Sequence, residues 1–224
     1  IKKLIPFILL HIVALISTVS RGPWVGAIIL IGLYIFLSKN KAKLISRVSI
    51  AAIAFSPLIF FTSTGQKIIN LLPFTGASNE GSITYRQELF EKSWIVIQRH
   101  PLLGSNTYLQ TPEMQSMIQG EGIIDIVNSY LRIALNSGLI GAGAFTLFFL
   151  VLVFRLYSSL KRLPPAERDI YLFGISLLAT LISVLIMIAT VSSVDRISHL
   201  YWILAGIVVA FLHYLKQKNI NETK

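Results

Sequence analysis

Between residues 4 and 37 the chain carries a single charged side chain, Arg21. Apolar runs at 4–19 and 24–37 flank it, and the only break between them is Ser20-Arg21-Gly22-Pro23. Runs this long and this apolar leave few folding options. A backbone in hydrocarbon must satisfy its own N–H and C=O groups, and within one short segment only a helix does so. The pair therefore reads as a helical hairpin that crosses a membrane and returns, with one guanidinium at its tip. A permanent positive charge at that boundary is accommodated by snorkelling or by an anion. A lipid-linked phosphate would be such an anion; an interfacial anchor is the plainer reading of the same residue.

The rest of the chain extends the pattern. Of its 224 residues, 54% are hydrophobic and 13% charged, with a mean hydropathy of +0.70. A soluble domain cannot hide that much apolar surface. Candidate spans fall at about 4–19, 23–37, 48–63, 139–157, 170–190 and 200–215. The expected fold class is all-α, a polytopic helical membrane protein with about six transmembrane helices and a helical external loop. Residues 1–63 would hold three spans, 64–138 an external (periplasmic) loop with amphipathic helices, and 139–224 three more spans and a short cytoplasmic tail. A start at Ile1, with no initiator methionine or cleavable leader, reads as the C-terminal part of a longer membrane protein. No cysteine is present, which removes disulfides, thiolate metal sites and thiol nucleophiles.

A net charge of +10 would suit nucleic acid, but its distribution argues for topology instead. With the N-terminus inside, the inner segments hold thirteen basic residues against three acids, among them Lys39, Lys41, Lys43, Arg47, Arg155, Lys161, Arg162, Arg168, Lys216 and Lys218. The outer segments hold seven of each sign and sum to zero. The whole excess lies on one side, as the positive-inside rule requires, and nucleic acid is not an expected partner.

The outer segment carries helix signals of its own. Thr84-Tyr85-Arg86-Gln87 fits a capping box, which would start a helix at Thr84 and put Arg86 in its first turn. Leu89, Phe90, Trp94 and Ile97 would share one side, suggesting a helix along the membrane surface, and Glu88 and Lys92 form an i,i+4 pair. Pro101 and Gly104 end it. A second helix is expected over 123–136, stopped by Gly138, with Gly141 and Gly143 available for close packing.

Chemistry-bearing residues concentrate on this face. A guanidinium beside free backbone N–H groups makes an anion site, so Arg86 joins Arg21 as a candidate; a solvated surface arginine is its alternative. Arg132 follows Asn128 by one turn with Tyr130 between, and a headgroup-facing arginine is the plainer account. Candidate bases are Glu121, Asp125, His100 and His199, while Asp195-Arg196 reads as a local ion pair and His11 and His213 as packing or interfacial residues. No His or acidic pair has metal-ligand spacing, and no phosphate-cradling glycine loop or Ser–His–Asp set is present.

Several of these motifs fall in a familiar order. Ser20-Arg21-Gly22-Pro23-Trp24 resembles the Ser-Arg-Gly motif of the O-antigen ligase and polymerase superfamily, and Thr84-Tyr85-Arg86 with Trp94 its external arginine helix. His100-Pro101-Leu102-Leu103-Gly104 is similar to its Pro-x-x-Gly stop. Asn128-Ser129-Tyr130-Leu131 with Ser137-Gly138-Leu139-Ile140-Gly141 is similar to its His-Asn-x-Tyr-Leu … Gly-Leu-Ile-Gly stretch. The resemblance runs over about 20–149.

It implies a multi-pass glycosyltransferase of the bacterial inner membrane with its active face outward. Such an enzyme takes a glycan from undecaprenyl diphosphate, without nucleotide sugar, metal or other cofactor, and passes it to a glycan or lipid acceptor. The implied catalytic residues are Arg21 and Arg86, which would stabilise the departing diphosphate, with Asp125 or Glu121 as base. Asn128, Tyr130 and Arg132 would bind substrate. One departure is plain: the position before Asn128, where ligases place a histidine, is Val127, which cannot take a proton. Two other classes compete, a transporter or flippase for lipid-linked sugars and a non-catalytic assembly component. Nearly charge-free spans and the absence of a visible repeat argue against transport.

Overall fold

The computed structural model describes residues 5–18, 20–62, 65–66, 80–120, 122–190 and 197–222. All regular elements among them are helical, eight α-helices and one short 3-10 turn, as the composition requires of a membrane protein. The chain divides into two compact units, Ile1–Glu80 and Gly81–Lys224.

In the first unit α1 (Ile5–Ser17) and α2 (Arg21–Leu37) form the hairpin expected around Arg21. Thr18 closes the turn, its hydroxyl donating to the Leu15 carbonyl at 2.7 Å. The Trp24 indole N–H donates to that same carbonyl at 2.9 Å and ties the two helices together. Ser20 sits before α2 in extended conformation (φ −118°, ψ 124°), so Arg21 is its first residue. Pro23 falls in the first turn, where a missing N–H has no intrahelical acceptor to lose. After a basic turn, α3 (Lys41–Phe60) packs on α2. The third expected span, 48–63, is the distal part of α3, whose first two turns carry Lys41, Lys43 and Arg47.

The second unit has two cores. The smaller lies under α4 (Glu80–Arg99), where Leu89, Val96 and Ile97 pack against Tyr108, Met114, Met117 and Ile126 and against Leu131 and Leu135. Tyr108 belongs to the 3-10 turn and Met114 to the short α5 (Pro112–Gln115). The described residues from 80 to 138 thus form a folded body. Its surface differs from the expected one: Leu89 and Ile97 face this core, whereas Phe90 and Trp94 are exposed and stacked on each other at 6.5 Å. A four-residue apolar set spread over an arc splits where a second layer covers half of it. The surface-helix expectation therefore rests on the exposed Ile83, Phe90, Trp94 and Ile95.

Two helix starts are corrected. Glu80, Gly81, Ser82 and Ile83 are already helical, so Thr84 is interior and Arg86 is in the second turn. The expected helix over 123–136 begins only at Ser129, because Asn128 is a working N-cap whose Oδ1 accepts from the N–H groups of Tyr130 (3.0 Å) and Leu131 (3.2 Å). Residues 122–128 are irregular, so Asp125 and Asn128 do not share a helix face.

The stop at Gly138 is real. α6 (Ser129–Lys161) is continuous in helix pattern but broken there, with φ 66° and ψ −173°. The distal limb, 139–161, spans about 34 Å at 1.5 Å per residue, enough to cross hydrocarbon by itself. With α7 (Arg168–Met187) and α8 (Ile197–Glu222) it forms a three-helix bundle around Phe149, Leu156, Leu178, Leu181 and Val208, and these three helices are long and apolar enough to be spans. Gly143 makes no close helix contact; the tight approach is at Gly174, where an added Cβ would meet Leu160 at 2.2 Å and Phe211 at 3.0 Å. Glu167 at the start of α7 pairs with Lys218 near the end of α8, so this end of the bundle is the basic one.

The outer core carries one well-formed ion pair. Arg99, in the last turn of α4, donates through Nη1 to Glu113 Oε2 at 3.0 Å and through Nη2 to Oε1. These hydrogen bonds hold the Glu113 carboxyl below the usual carboxylate range. A depressed folded value means the pair stabilises fully above the ordinary glutamate pKa and is lost as pH falls through the folded value. Glu113→Gln is therefore expected to lower the melting temperature at neutral pH. Its deficit against the parent should shrink as the pH drops into the acid range. Thermal unfolding at a series of pH values checks this, and a pH-independent deficit would refute it.

Candidate functional site

In the second unit the end of α7 remote from its basic loop collects several of the predicted residues. Its last carbonyls have no partners within the helix and must find them elsewhere. Three are taken. The Tyr130 hydroxyl donates to the Leu185 carbonyl at 3.0 Å, the Ser129 N–H to Ile188 at 2.9 Å, and Arg86 Nη2 to Thr190 at 3.3 Å. A cation here also meets the negative end of the α7 dipole. The sequence places Arg86 104 positions from its acceptor, so only the fold reveals the contact.

Arg86 differs from its neighbours in what it is bonded to. Lys92 is paired with Glu88 at 3.8 Å and Arg99 with Glu113. Arg86 is exposed, and among the described residues its hydrogen bond goes to a neutral carbonyl, not to a carboxylate. Its charge is therefore oriented, and not neutralised by any acid among the described residues. That is the condition under which a guanidinium captures an anion.

Beside it Tyr85 is half-buried, and its hydroxyl donates to the Asp125 carbonyl at 3.0 Å. Burial pushes the phenol above its ordinary value, with the nearby Asp125 charge adding to the effect, so it stays a donor. This contact ties the irregular segment 122–128 to α4 at Asp125. Tyr85 was not among the expected site residues; its one sequence signal is adjacency to Arg86. Asn128 acts as the α6 cap rather than as a free side chain, and Tyr130 stacks edge-on against Phe145 at 5.7 Å. Arg132, in the first turn of α6, is an electrostatic neighbour of Tyr201 in α8.

The structure thus groups Arg86, Asp125, Asn128, Tyr130 and Arg132 in one unit around the N-terminus of α6. Arg21 belongs to the other unit, at the first position of α2. Glu121 and Asp195-Arg196 lie outside the described residues. His100 is exposed, at the end of α4. Among the described residues no three His, Cys, Asp or Glu side chains cluster as metal ligands would. Where the N-cap precedes the site, Val127 is half-buried against the outer core, consistent with an apolar residue in a packing position.

A family model described as O-antigen ligase matches residues 6–146, well over half of the chain. The match takes in the α1–α2 hairpin, the outer core and the Gly138 break. No protein of curated function and no solved structure matches the chain.

Proposed function

Because the chain belongs to the O-antigen ligase family, membrane enzymes of surface-polysaccharide synthesis, we propose that it transfers or polymerises glycan units from an undecaprenyl-diphosphate donor. The observation that carries this reading is Arg86: an exposed guanidinium oriented by the Thr190 carbonyl and, among the described residues, not paired with an acid. Cleaving a glycosyl diphosphate leaves negative charge on the departing phosphate oxygens. Fixed cations aimed at that charge lower the barrier because they need no reorganisation as it develops. Arg21 is assigned the same task from its sequence position, as the one charged residue between positions 4 and 37.

The acceptor hydroxyl must lose a proton, and Asp125, whose backbone carbonyl accepts from Tyr85 beside Arg86, is the candidate base, with Glu121 the alternative. Asn128 and Tyr130 shape the site by fixing the start of α6, and Arg132 contributes further positive charge toward a donor or acceptor. On this reading residues 64–138 face outward from the bacterial inner membrane, opposite the basic loops, and the chemistry needs no metal.

The test is reconstitution of the full parent protein with a lipid-diphosphate oligosaccharide and candidate acceptors, products resolved by size. A ladder of increasing length identifies a polymerase, and a single transfer to a second acceptor a ligase. Turnover is expected to survive chelation with EDTA. A donor left intact under every condition would move transport or a non-catalytic assembly role ahead of catalysis.

A further inference from the structure

We propose that the groove between α6 and α8 at the basic end of the bundle is a binding site for an anionic phospholipid. It has a volume of about 380 Å³ and lies wholly beyond residue 146, where the family match ends. Its apolar lining is formed by Phe148, Val151 and the buried Leu152 of α6 and Val209 and Leu212 of α8. Its rim is Arg155, His213 and Lys216. The two helices run parallel, since Phe145 meets Tyr201 edge-on at 5.5 Å and Arg155 and Lys216 line the same groove further along.

The polarity along the groove is ordered. Arg155 stands four residues after Val151, His213 four after Val209 and Lys216 four after Leu212. Each polar side chain is therefore one helical turn, about 5.4 Å, above an apolar lining residue. A soluble anion would have no use for the apolar foot, and a neutral lipid none for the cations. An amphiphile with acyl chains and a phosphate fits both.

At the same end of the bundle Lys218 is paired with Glu167, and Lys161 lies over the Tyr157 ring at 4.5 Å. Among the described residues neither Arg155 nor Lys216 is in an ion pair, and His213 holds only Gln217, at 3.0 Å. Arg155 lies six residues inside the end of α6, about 9 Å along the axis. A cation at that depth snorkels or meets an anion, and basic pockets between spans are where lipid headgroups are held.

The experiment is native mass spectrometry of the whole chain in detergent, incubated with phosphatidylglycerol or phosphatidylcholine. Phosphatidylglycerol should be retained and phosphatidylcholine should not. Each cation near a headgroup is worth about fivefold in affinity, so Arg155→Gln with Lys216→Gln should cut retention by 10-fold or more, roughly. Val151→Trp, which keeps both cations and fills the foot of the groove, should cut it as well. Lys161→Gln with Arg162→Gln, the same charge loss outside the groove, should leave it unchanged. Equal retention of the two lipids, undiminished binding in the groove variants, or displacement by inorganic phosphate alone would each overturn the proposal.

Discussion

Arg86→Ala is expected to leave a chain that inserts normally, keeps its outer core and transfers almost no glycan. Removing one preorganised donor from a site where negative charge develops costs about 10²–10³ in turnover. Folding should survive, because Arg86 is exposed and α4 is held by Leu89, Val96 and Ile97. The loss should fall on kcat more than on KM if the guanidinium meets charge that appears only as the bond to the diphosphate breaks. Arg86→Lys should recover part of the rate, since an ammonium supplies charge but not a planar fork. The contrast is Arg99→Ala on the same helix. It breaks the bridge to Glu113 and should lower the melting temperature while sparing turnover. Steady-state kinetics in proteoliposomes, with the inserted protein quantified, separates the two. An Arg86→Ala enzyme within about tenfold of the parent rate would show that leaving-group stabilisation lies elsewhere. Arg21→Ala carries the same expectation of lost transfer.

What could be read from the sequence follows from which forces act locally. The helical class and the basic ends are set by composition and by the bilayer, which acts on every residue alike. Gly138 was legible as a stop because φ of 66° is a property of one residue. The start of α6 was not, because Ile123, Ile124, Ile126 and Val127 look like a helical stripe until one sees that Ile126 enters the outer core from an irregular strand. Asn128 then competes with helix by capping it, and the cap wins. Thr84 failed for the opposite reason: a capping box also fits inside a helix that begins earlier. Gly143 was expected to pack and Gly174 was not singled out, since small residues announce permission for contact and only the fold chooses the partner. The hold of Thr190 on Arg86 is a backbone carbonyl across the whole unit, and no pattern of side chains encodes it.

Gly138→Ala is expected to be the most damaging conservative change in the second unit. The break at Gly138 is where the turn after α4 enters α6. The carbonyls of Pro101 and Leu102 accept from the N–H groups of Leu139 (2.8 Å) and Ile140 (3.3 Å), capping the distal limb from outside. In return Ser105 N–H donates to the Leu135 carbonyl at 2.9 Å, at the end of the proximal limb. Such interlocking needs two backbones in contact, and it has them. A Cβ on Gly138 would lie 2.2 Å from the Leu102 oxygen, and one on Gly104 would lie 2.5 Å from the Gly138 nitrogen. Both contacts are with main chain, which cannot rotate away. The conformation adds its own cost: φ 66° with ψ −173° is open essentially to glycine, and a residue forced into it stores about 1–3 kcal/mol. Gly138→Ala must therefore open the turn, leave the two α6 N–H groups without acceptors and loosen Leu135 from the outer core. Gly104, at φ 69°, sits on the other side of the same contact, so Gly104→Ala should fail in the same way and the double variant should add little. Gly143→Ala, with open space around its Cβ, should be neutral. Limited proteolysis of the outer segment in proteoliposomes, beside thermal unfolding, checks this. Rapid cleavage near residue 103 in both damaging variants and none in Gly143→Ala is the expected pattern, and parent-like protection of Gly138→Ala would show that the junction yields without it.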